Sequence, residues 1–424
     1  MTATRTAPFR FSVIVASRGR PEWLQRCLLS LRQQDYPVFE IVVVSESNSL
    51  AGLSSLGVKT VPFEDANLAI ARNKGIAFSS GEICAFIDDD AVAEPLWLYR
   101  LSEAFAATSA DAVVGYVRGR NGISFQSRVA FVDAEAETHA ALFDGEQSFV
   151  PDPPQGQALK LVGTNMAVRR EALLAQRGFD QAFRFFLEDT DLSLRLAQGG
   201  CKLAVAPLAE VHHGFAASAR RTRQRAPLDL FDVGRSTSYY LHKHLGRADG
   251  EFWDRLKQRE LKRLARHLVA GTCEPRDVRH CLARLKAGWE DGSDVKVGET
   301  ADFLDGPEVP FVNVSESHKA QRILSSYWFH KRRSLCQTAE KIVKNGEAAT
   351  VLSFSLTSVR HHVSYDNAGF WLQTGGLFGP SDRDAPVFKR YRFAERVQNE
   401  IRRVAKRRGI GDCDDRKWWE HLRH

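Results

Sequence analysis

The sequence predicts an α/β protein built on a mostly parallel sheet flanked by helices. Short apolar runs rich in β-branched residues, such as Phe11–Ala16 (FSVIVA) and Phe39–Val44 (FEIVVV), alternate with segments whose apolar residues recur at helical spacing. The runs are apolar throughout rather than at every second position. Strands of this kind are typical of a parallel sheet that is covered on both faces.

In the first half of the chain each strand is followed by a helix. After the first strand, Pro21 stands where it suits the first turn of a helix. Further strands are expected at Val58–Pro62, Glu82–Ile87 and Ala112–Val117, and further helices at Ala66–Phe78 and Leu96–Phe105.

The second half of the chain has a different pattern. Helical periodicity covers Asp229–Leu245, Glu251–Ala270 and Arg276–Trp289, and a polar, turn-rich stretch at Gly292–Pro310 indicates a linker. Val351–Phe378 is β-like and predicts a hairpin or a small meander, and Lys389–Arg408 is a basic helix with a narrow apolar stripe. We therefore expect three units, at residues 1–228, 229–300 and 301–424.

Composition excludes several classes of protein. The 424 residues, 43% apolar and 26% charged, are close to the globular average, which excludes wholesale disorder. Seven cysteines without a CxxC pair indicate reduced thiols. No apolar run reaches the ~18 residues of a membrane-spanning helix, and MTATRTAPFR does not resemble a secretory signal, so we expect a cytosolic protein. The net charge of +7 suggests an anionic partner: a phosphorylated ligand, an acidic membrane surface or nucleic acid.

The strongest chemical signal is Asp88-Asp89-Asp90, directly after the strand EICAFI. Ligands of open α/β sheets bind beyond the carboxyl ends of strands. Adjacent carboxylates repel one another, and a bound cation relieves that cost. Helix capping would explain one of the three, so a metal–diphosphate site is the favoured interpretation.

A second acidic group opens a helix at Glu188-Asp189-Thr190-Asp191. Asp191 and Arg195 have the i, i+4 spacing of a structural ion pair. Glu188 and Asp189 follow two phenylalanines, whose desolvating effect suits a general base. Complementing the helix N-terminus is an equally good explanation of these carboxylates.

Basic and imidazole groups complete the candidate site. His212 and His213 end a strand-like segment, which makes one of them a plausible metal ligand. Arg72 could pair with a phosphate, whereas a solvated helix face explains Lys74 nearly as well.

Together these segments resemble the inverting family 2 glycosyltransferases, which have the GT-A fold. The resemblance runs from about Phe11 to Leu245, and IDDDAV is similar to the DxD-type motif and LEDTDLSLRL to the ED motif of that family. The segments that carry it occur in the family's order: SVIVASRGRPEWLQRCLLSLRQQDYP, FEIVVVSES, NLAIARNKGIAFSSGEICAFIDDDAV, GTNMAVRRE, GFDQAFRFFLEDTDLSLRLAQGG and VHHGF.

The resemblance implies transfer from a nucleoside-diphosphate sugar with Mn²⁺ or Mg²⁺, to a glycan or lipid-linked acceptor in surface polysaccharide synthesis. It implies Asp189 as catalytic base with Glu188 beside it, and Asp90 with His212 or His213 as metal ligands. The nucleotide-sugar site implied by the resemblance comprises Ala16, Arg18, Glu46, Arg72, Asn73, Asp88, Asp89 and Asn165. Ser45-Glu46-Ser47 replaces the acidic pair that is usual in the family after the second strand, so Glu46 is expected to contact the nucleotide. The identity of the nucleotide base (uracil, thymine or guanine) stays open.

Two rival functions fit the sequence less well. A sugar-1-phosphate nucleotidyltransferase would carry a Gly-rich loop after the first strand, which SRGRPEW does not supply. A catalytically silent scaffold would be free to lose the carboxylates that are retained at residues 88–90 and 188–189.

The basic helix at Lys389–Arg408 has three interpretations. The first is a solvated surface helix. The second is contact with the anionic inner face of the membrane. The third is nucleic-acid binding, which we do not expect because no nucleic-acid module precedes the helix. For the His361-His362 pair and for Trp371, structural roles are predicted.

Overall fold

The computed structural model of the chain describes residues 9–298, 309–314 and 321–410. Within these ranges the strands are β1 (Phe11–Ala16), β2 (Phe39–Ser45), β3 (Lys59–Pro62), β4 (Ile83–Phe86), β5 (Ala91–Ala93), β6 (Ala112–Arg118), β7 (Phe125–Ser127), β8 (Ala130–Asp133), β9 (Thr138–Ala140), β10 (Gln157–Leu159), β11 (Met166–Arg169), β12 (Leu203–His213), β13 (Gln321–Ser326), β14 (Ala348–Ser355), β15 (His362–Tyr365) and β16 (Trp371–Gly376). The helices of the same ranges are α1 (Pro21–Leu31), α2 (Leu68–Ala77), α3 (Trp97–Thr108), α4 (Arg170–Ala175), α5 (Glu188–Gln198), α6 (Phe231–Leu245), α7 (Gly250–Val269), α8 (Pro275–Ser293), α9 (Arg332–Lys344) and α10 (Phe393–Arg408).

Nine of the described strands form the central sheet. The strand order is β3-β2-β1-β4-β11-β6-β12-β5, and β7 pairs with β6 outside this path. The strands β3, β2, β1 and β4 are parallel, and β6 is parallel to β12, while β11 runs antiparallel between β4 and β6. The predicted α/β fold with a mostly parallel sheet is therefore confirmed.

The strands at the centre of the sheet are buried on both faces. Val13 and Val15 of β1 lie in one apolar cluster, while Ile14 between them lies in the other. Successive strand side chains point to opposite faces, so a strand without alternation contributes to both cores. Each such side chain stabilises the fold by about 1.5–3 kcal/mol through removal from water.

The predicted linker is wrong at its first residues. Helix α8 continues to Ser293, because Gly288 and Gly292 are contact points between helices rather than helix breakers. A Cβ on either glycine would collide with the backbone of α6, at Phe231 for Gly288 and at Arg235 for Gly292. Residues 299–308 of the predicted linker lie outside the described ranges, and the boundaries at residues 228 and 300 stay predictions.

The described residues after 320 form a second, smaller sheet in the order β13-β14-β16-β15, which we call the C-terminal module together with α9 and α10. The predicted hairpin is confirmed, because β15 and β16 are antiparallel with Tyr365 opposite Trp371. Strand β13 and helix α9 were not predicted. The structural assignment of Trp371 is confirmed by its 1% exposure. His361 is buried and His362 exposed, as alternation along the strand requires.

The apolar stripe of the basic helix α10 is covered by the module itself. Val397, with Phe393 and Ile401, packs in one apolar cluster with Phe354 and Leu377. The last turn of α10 then reaches the segment between β5 and α3, where the Leu96 N–H donates to the Arg407 carbonyl at 2.8 Å. The helix is therefore part of the fold and presents only its charged face to solvent.

Candidate active site

Three ligand atoms converge beyond the carboxyl end of β4. Asp88 and Asp90 follow this strand, and His213 ends β12, which pairs with β5 beside them. One carboxylate oxygen of each Asp and one ring nitrogen of His213 lie within 4.8 Å of one another. Two carboxylate oxygens and an imidazole nitrogen are ligands that suit Mn²⁺ or Mg²⁺.

The contacts of His213 orient its ring for a cation. Nε2 lies 3.1 Å from Asp90 Oδ1, and Nδ1 lies 2.9 Å from Gln126 Oε1. With Nδ1 held by the Gln126 oxygen, Nε2 is the ring nitrogen that faces Asp90. Nε2 and the Asp90 carboxylate could therefore ligate the same metal ion.

His212, also predicted as a metal ligand, is not brought to this group. Its Nε2 lies 2.9 Å from Glu94 Oε1, and its ring centroid lies 4.7 Å from that of Trp371 in the C-terminal module. The physical reason is the alternation of side chains along β12, which places neighbouring residues on opposite faces.

Asp90 is held in its ionised form by several positive groups. Burial alone would raise the pKa of this carboxyl, but the hydrogen bond and charge of His213, the charge of Arg20 and the Ala216 N–H outweigh it. The pKa therefore lies well below its usual range. Ala216 N donates to Oδ2 at 2.7 Å, and Arg221 lies 3.5 Å from the same oxygen.

Asp89 has its own partners beneath the loop that follows β1. Its carboxylate accepts from Ser17 Oγ at 2.7 Å and from Arg20 at 2.5 Å, and the residue is 1% exposed. Burial raises its pKa to about 7 against the opposing charge of Arg20. Asp89 thus anchors the first loop, and a nucleotide would have to displace these contacts to reach it.

Arg72 joins the two acidic segments. Its guanidinium donates to Glu188 Oε1 at 2.7 Å and to Asp88 Oδ1 at 3.3 Å. Burial lowers the Arg72 pKa, but the charges of Glu188, Asp88 and Asp189 more than compensate. For Glu188, burial and the charge of Asp189 raise the pKa to about 7. Arg72 therefore stabilises carboxylates that would otherwise repel one another.

Asp189 lies half-buried in the first turn of α5, beside Asp88. Its Oδ2 accepts from the Gly163 N–H at 2.9 Å, and the next residue, Thr164, donates from Oγ1 to Asp88 Oδ2 at 2.5 Å. Two consecutive non-glycine residues with left-handed backbone, Phe186 and Leu187, precede the helix. Such strained conformations cluster at functional sites. The carboxylate of Asp189 is thus fixed next to the candidate metal ligands.

The loop after β1 meets the end of β2 at Glu46. The Gly19 N–H donates to Glu46 Oε2 at 2.7 Å, and Arg18 Nε lies 3.6 Å from Oε1. Ala16 ends β1 at the same edge of the sheet. These predicted nucleotide-contacting residues therefore lie together at the carboxyl edge of the sheet.

Two predicted nucleotide-sugar residues have structural partners instead. The Asn73 side chain exchanges hydrogen bonds with the backbone of Phe179, at 2.7 and 2.8 Å. The Asn165 amide donates to the carbonyls of Tyr116 and Ala209 and accepts from Trp97 Nε1. Both residues are at most 1% exposed, so the structure does not place them on the open side of the site.

Sequence reasoning did not single out Arg20, Arg221 or Gln126, although each contacts a member of the site. Arg20 stands in SRGRPEW, two positions after the predicted nucleotide-site residue Arg18. Its place in the same loop was therefore a signal that could have identified it. Gln126 and Arg221 come from loops without a readable pattern. By contrast, the predicted Asp191–Arg195 ion pair is confirmed at 2.7 Å.

Residues 12–174 match the family model described as Glycosyl transferase family 2. The chain is 32% identical over 126 residues to Glycosyltransferase AglE of Haloferax volcanii, covering 27% of this chain and 41% of that protein. It is 31% identical over 149 residues to Succinoglycan biosynthesis protein ExoM of Rhizobium meliloti, covering 35% and 44%. It is 26% identical over 214 residues to the Pre-mycofactocin glycosyltransferase of Mycobacterium tuberculosis, covering 48% and 42%.

The chain spans less than half the length of these three relatives. Among solved structures it is similar to S. aureus TarS 1-349 in complex with UDP-GlcNAc, with 17% identity and a TM-score of 0.41 over 61% of this chain and 73% of that one. The family match over residues 12–174 confirms the resemblance to the family 2 glycosyltransferases. In the part of the chain that the structure describes, no helix is both long and apolar enough to cross a membrane.

Proposed function

We propose that the chain is an inverting, metal-dependent glycosyltransferase. It moves a sugar from a nucleoside-diphosphate donor to a glycan or lipid-linked acceptor in the synthesis of surface polysaccharide. The observation that carries the proposal is the convergence of Asp88, Asp90 and His213 within 4.8 Å, beside the half-buried Asp189.

Asp88, Asp90 and His213 are the residues that would hold the metal ion. When bound, Mn²⁺ or Mg²⁺ supplies Lewis-acid stabilisation of the charge that develops on the leaving diphosphate. The Ala216 N–H and Arg20 hold Asp90 ionised and oriented for this role.

The donor side of the site is assigned to the carboxyl edge of the sheet. Ala16, Arg18 and Glu46 lie there and would contact the nucleoside, while Arg72 and Asp88 lie next to the acceptor side. Arg72 is already engaged with Glu188 and Asp88, so it orients carboxylates as well as adding positive charge near the sugar.

Asp189 is the proposed general base. A carboxylate within hydrogen-bond reach of the acceptor hydroxyl takes its proton while the oxygen attacks the anomeric carbon. Attack from the face opposite the leaving diphosphate inverts the anomeric configuration. Gly163 N donates to Oδ2 at 2.9 Å and Thr190 Oγ1 donates to Oδ1 at 3.2 Å, and a carboxylate oxygen with one such bond can still accept from the hydroxyl.

A panel of UDP-, GDP-, dTDP- and CMP-sugars, screened by thermal shift with Mn²⁺ and with EDTA, tests the donor assignment. A ligand at 100 times its Kd raises the unfolding free energy by about 2.7 kcal/mol. We expect a Mn²⁺-dependent shift with one nucleotide that Asp90→Ala abolishes. Absence of a shift with every donor, in folded protein, would favour a catalytically silent scaffold.

Peripheral membrane contact is the remaining proposal for α10. Its apolar stripe is packed inside the module, so contact would depend on the charged face, which includes the exposed Arg402. Sedimentation measures binding of the protein to vesicles that contain phosphatidylglycerol. We expect this binding to decrease with added salt and with Arg402→Gln. Equal, negligible binding to anionic and neutral vesicles would end this proposal.

A further inference from the structure

Three arginine side chains surround one aromatic ring next to the candidate metal site. The ring is that of Phe215, two residues after His213. The guanidinium carbons of Arg225, Arg221 and Arg120 lie 4.0, 5.5 and 6.0 Å from its centroid. We call these three residues the arginine cluster.

The positive charge of the arginine cluster is poorly compensated. Arg120 donates to the backbone carbonyls of Gly214, Phe215 and Arg223. Arg221 donates to the Ala216 carbonyl and approaches Asp90 at 3.5 Å. Within the described ranges, Asp90 is the one carboxylate in ion-pair contact with the cluster, and Arg225 has no ion-pair partner there. Because Asp90 is itself a candidate metal ligand, little negative charge remains for the three guanidinium groups.

The loop that carries Arg221 and Arg225 is held in a strained form. Phe215 and Arg225 both have left-handed backbone, with φ of 54° and 70°. Residues other than glycine adopt this conformation at an energetic cost, and such strain concentrates at binding and catalytic sites. The hydrogen bonds from Arg120 to carbonyls at both ends of the loop maintain it. The cluster is thus preformed.

Like charges are crowded here. Partial burial, followed by the charges of Arg221, Arg263 and Arg120, lowers the pKa of the Arg225 guanidinium. Arg263 has its own partner, Glu260, at 3.2 Å. An anion at the cluster would relieve the repulsion between the guanidinium groups, and the planar fork of Arg225 could donate two hydrogen bonds to a phosphate.

We infer that the arginine cluster is a subsite for a phosphate group carried by the acceptor. The inference rests on the proposed function, which assigns the diphosphate of the donor to the metal site. A divalent ion held by Asp88 and Asp90 is balanced by these two carboxylates, so the donor diphosphate draws on the adjoining arginine cluster. Three guanidinium groups against the two charges of that diphosphate leave positive charge for a second anion. The acceptor class that this chemistry selects is a phosphorylated glycan or a lipid-linked glycan with a phosphate near the accepting hydroxyl.

Inorganic phosphate is the probe, and thermal stability is the readout. Phosphate is titrated into the full chain with Mg²⁺, first alone and then with the nucleoside diphosphate from the donor screen at saturation. We expect phosphate to stabilise the nucleotide-loaded protein. Arg225→Gln should weaken its apparent affinity about ten-fold, as for loss of one charged hydrogen-bonding group. Arg225→Lys keeps the charge but loses the fork, so its phosphate affinity should lie between those of the wild type and Arg225→Gln. The exposed Arg276 on α8 provides the matched control, and Arg276→Gln should leave phosphate affinity unchanged.

Two results would overturn the inference. Phosphate that stabilises the free protein but not the nucleotide-loaded protein would assign the cluster to the donor diphosphate. Equal phosphate affinities for the wild type, Arg225→Gln and Arg276→Gln, with all three folded, would show that the cluster binds no phosphate. If no nucleoside diphosphate binds at all, the proposed function fails by itself. In that case, a phosphate effect on the free protein that Arg225→Gln removes would still support the anion subsite.

Discussion

The two faces of β12 carry the same residue types and differ in what those residues can do. On one face Asp90 and His213 meet guanidinium groups that are about a quarter exposed. On the other face Glu94 and His212 meet Arg408 of the C-terminal module, and the Glu94 and Arg408 side chains are at most 2% exposed. The Asp and His side chains of the first group are buried too, but their arginine partners are partly exposed and leave a way in for a ligand, whereas the second group is closed by the buried Arg408.

Charge balance separates the two faces further. Arg408 donates twice to Glu94, at 2.9 and 3.1 Å, and stacks over Trp371 at 4.3 Å. Burial would raise the pKa of Glu94, but the charge of Arg408 and the hydrogen bond of His212 hold it well below its usual range. A carboxylate, a histidine and an arginine thus serve as a structural clamp where each is paired, and as a candidate ligand site where positive charge is in excess.

The largest expected effect is on catalysis at the open face. Asp189→Asn keeps the shape of the side chain but removes the proton acceptor, so sugar transfer should fall about 10³-fold. Nucleotide-induced thermal stabilisation should persist, because Asp189 is assigned to the acceptor side. Asp254→Asn, at an exposed position of α7, is the control. Turnover like that of the wild type in Asp189→Asn would refute the base assignment.

The closed face should affect stability instead. Arg408→Gln leaves Glu94 buried without its strongest partner, and removing one member of a buried ion pair costs about 3 kcal/mol of unfolding free energy. Denaturant unfolding measures this loss, with Arg402→Gln on the exposed side of the same helix as control. If the two variants unfold at the same midpoint, the clamp contributes nothing to stability. The double variant Glu94→Gln/Arg408→Gln should lose less than the sum of the single variants.

A smaller, pH-dependent effect is expected where α5 meets α6. Asp191 accepts from Arg195, Lys243 and His244 at 2.7–2.9 Å. Burial opposes ionisation, but these partners hold the pKa of Asp191 well below its usual value. The stabilisation is therefore fully present above the unfolded-state pKa of about 3.9 and is lost as the pH falls below it.

Asp191→Asn should accordingly lower the unfolding free energy by about 2 kcal/mol at pH 7. The difference from the wild type should shrink as the pH falls below about 4. Unfolding curves from pH 3 to pH 7 test this. A difference that does not change with pH would mean that packing, rather than the charge of Asp191, stabilises the junction.

Local patterns predicted the open face better than the closed one. Asp88–Asp90 could be placed because a buried strand precedes them, and Asp191–Arg195 because helical spacing defines their contact. The clamp could not be predicted, since Glu94 and Arg408 are 314 positions apart in the sequence. The position of His212 could have been predicted, because the alternation of side chains applied to the His361-His362 pair also places His212 and His213 on opposite faces of their strand.

Asn73 and Asn165 show a second limit. Their positions in the family's segments suggested contact with the nucleotide sugar, yet their amides bond backbone groups, at Phe179 for Asn73 and at Tyr116 and Ala209 for Asn165. Hydrogen-bond partners of this kind are set by the tertiary fold, so sequence position alone does not distinguish a buried structural amide from a ligand-binding one. Helix α8 illustrates the same point, since the sequence predicts a linker from Gly292 onward, yet Gly292 packs against the backbone of α6.

Calorimetric titration of Mn²⁺ into the wild type, His213→Ala and His212→Ala tests the central claim most directly. The two histidines are neighbours in sequence and differ in the face of β12 on which they lie. We predict that His213→Ala weakens Mn²⁺ binding by about 10- to 100-fold, while His212→Ala leaves it unchanged and lowers only the unfolding temperature. Equal Mn²⁺ affinities for the wild type and His213→Ala, or a larger loss in His212→Ala, would contradict the account.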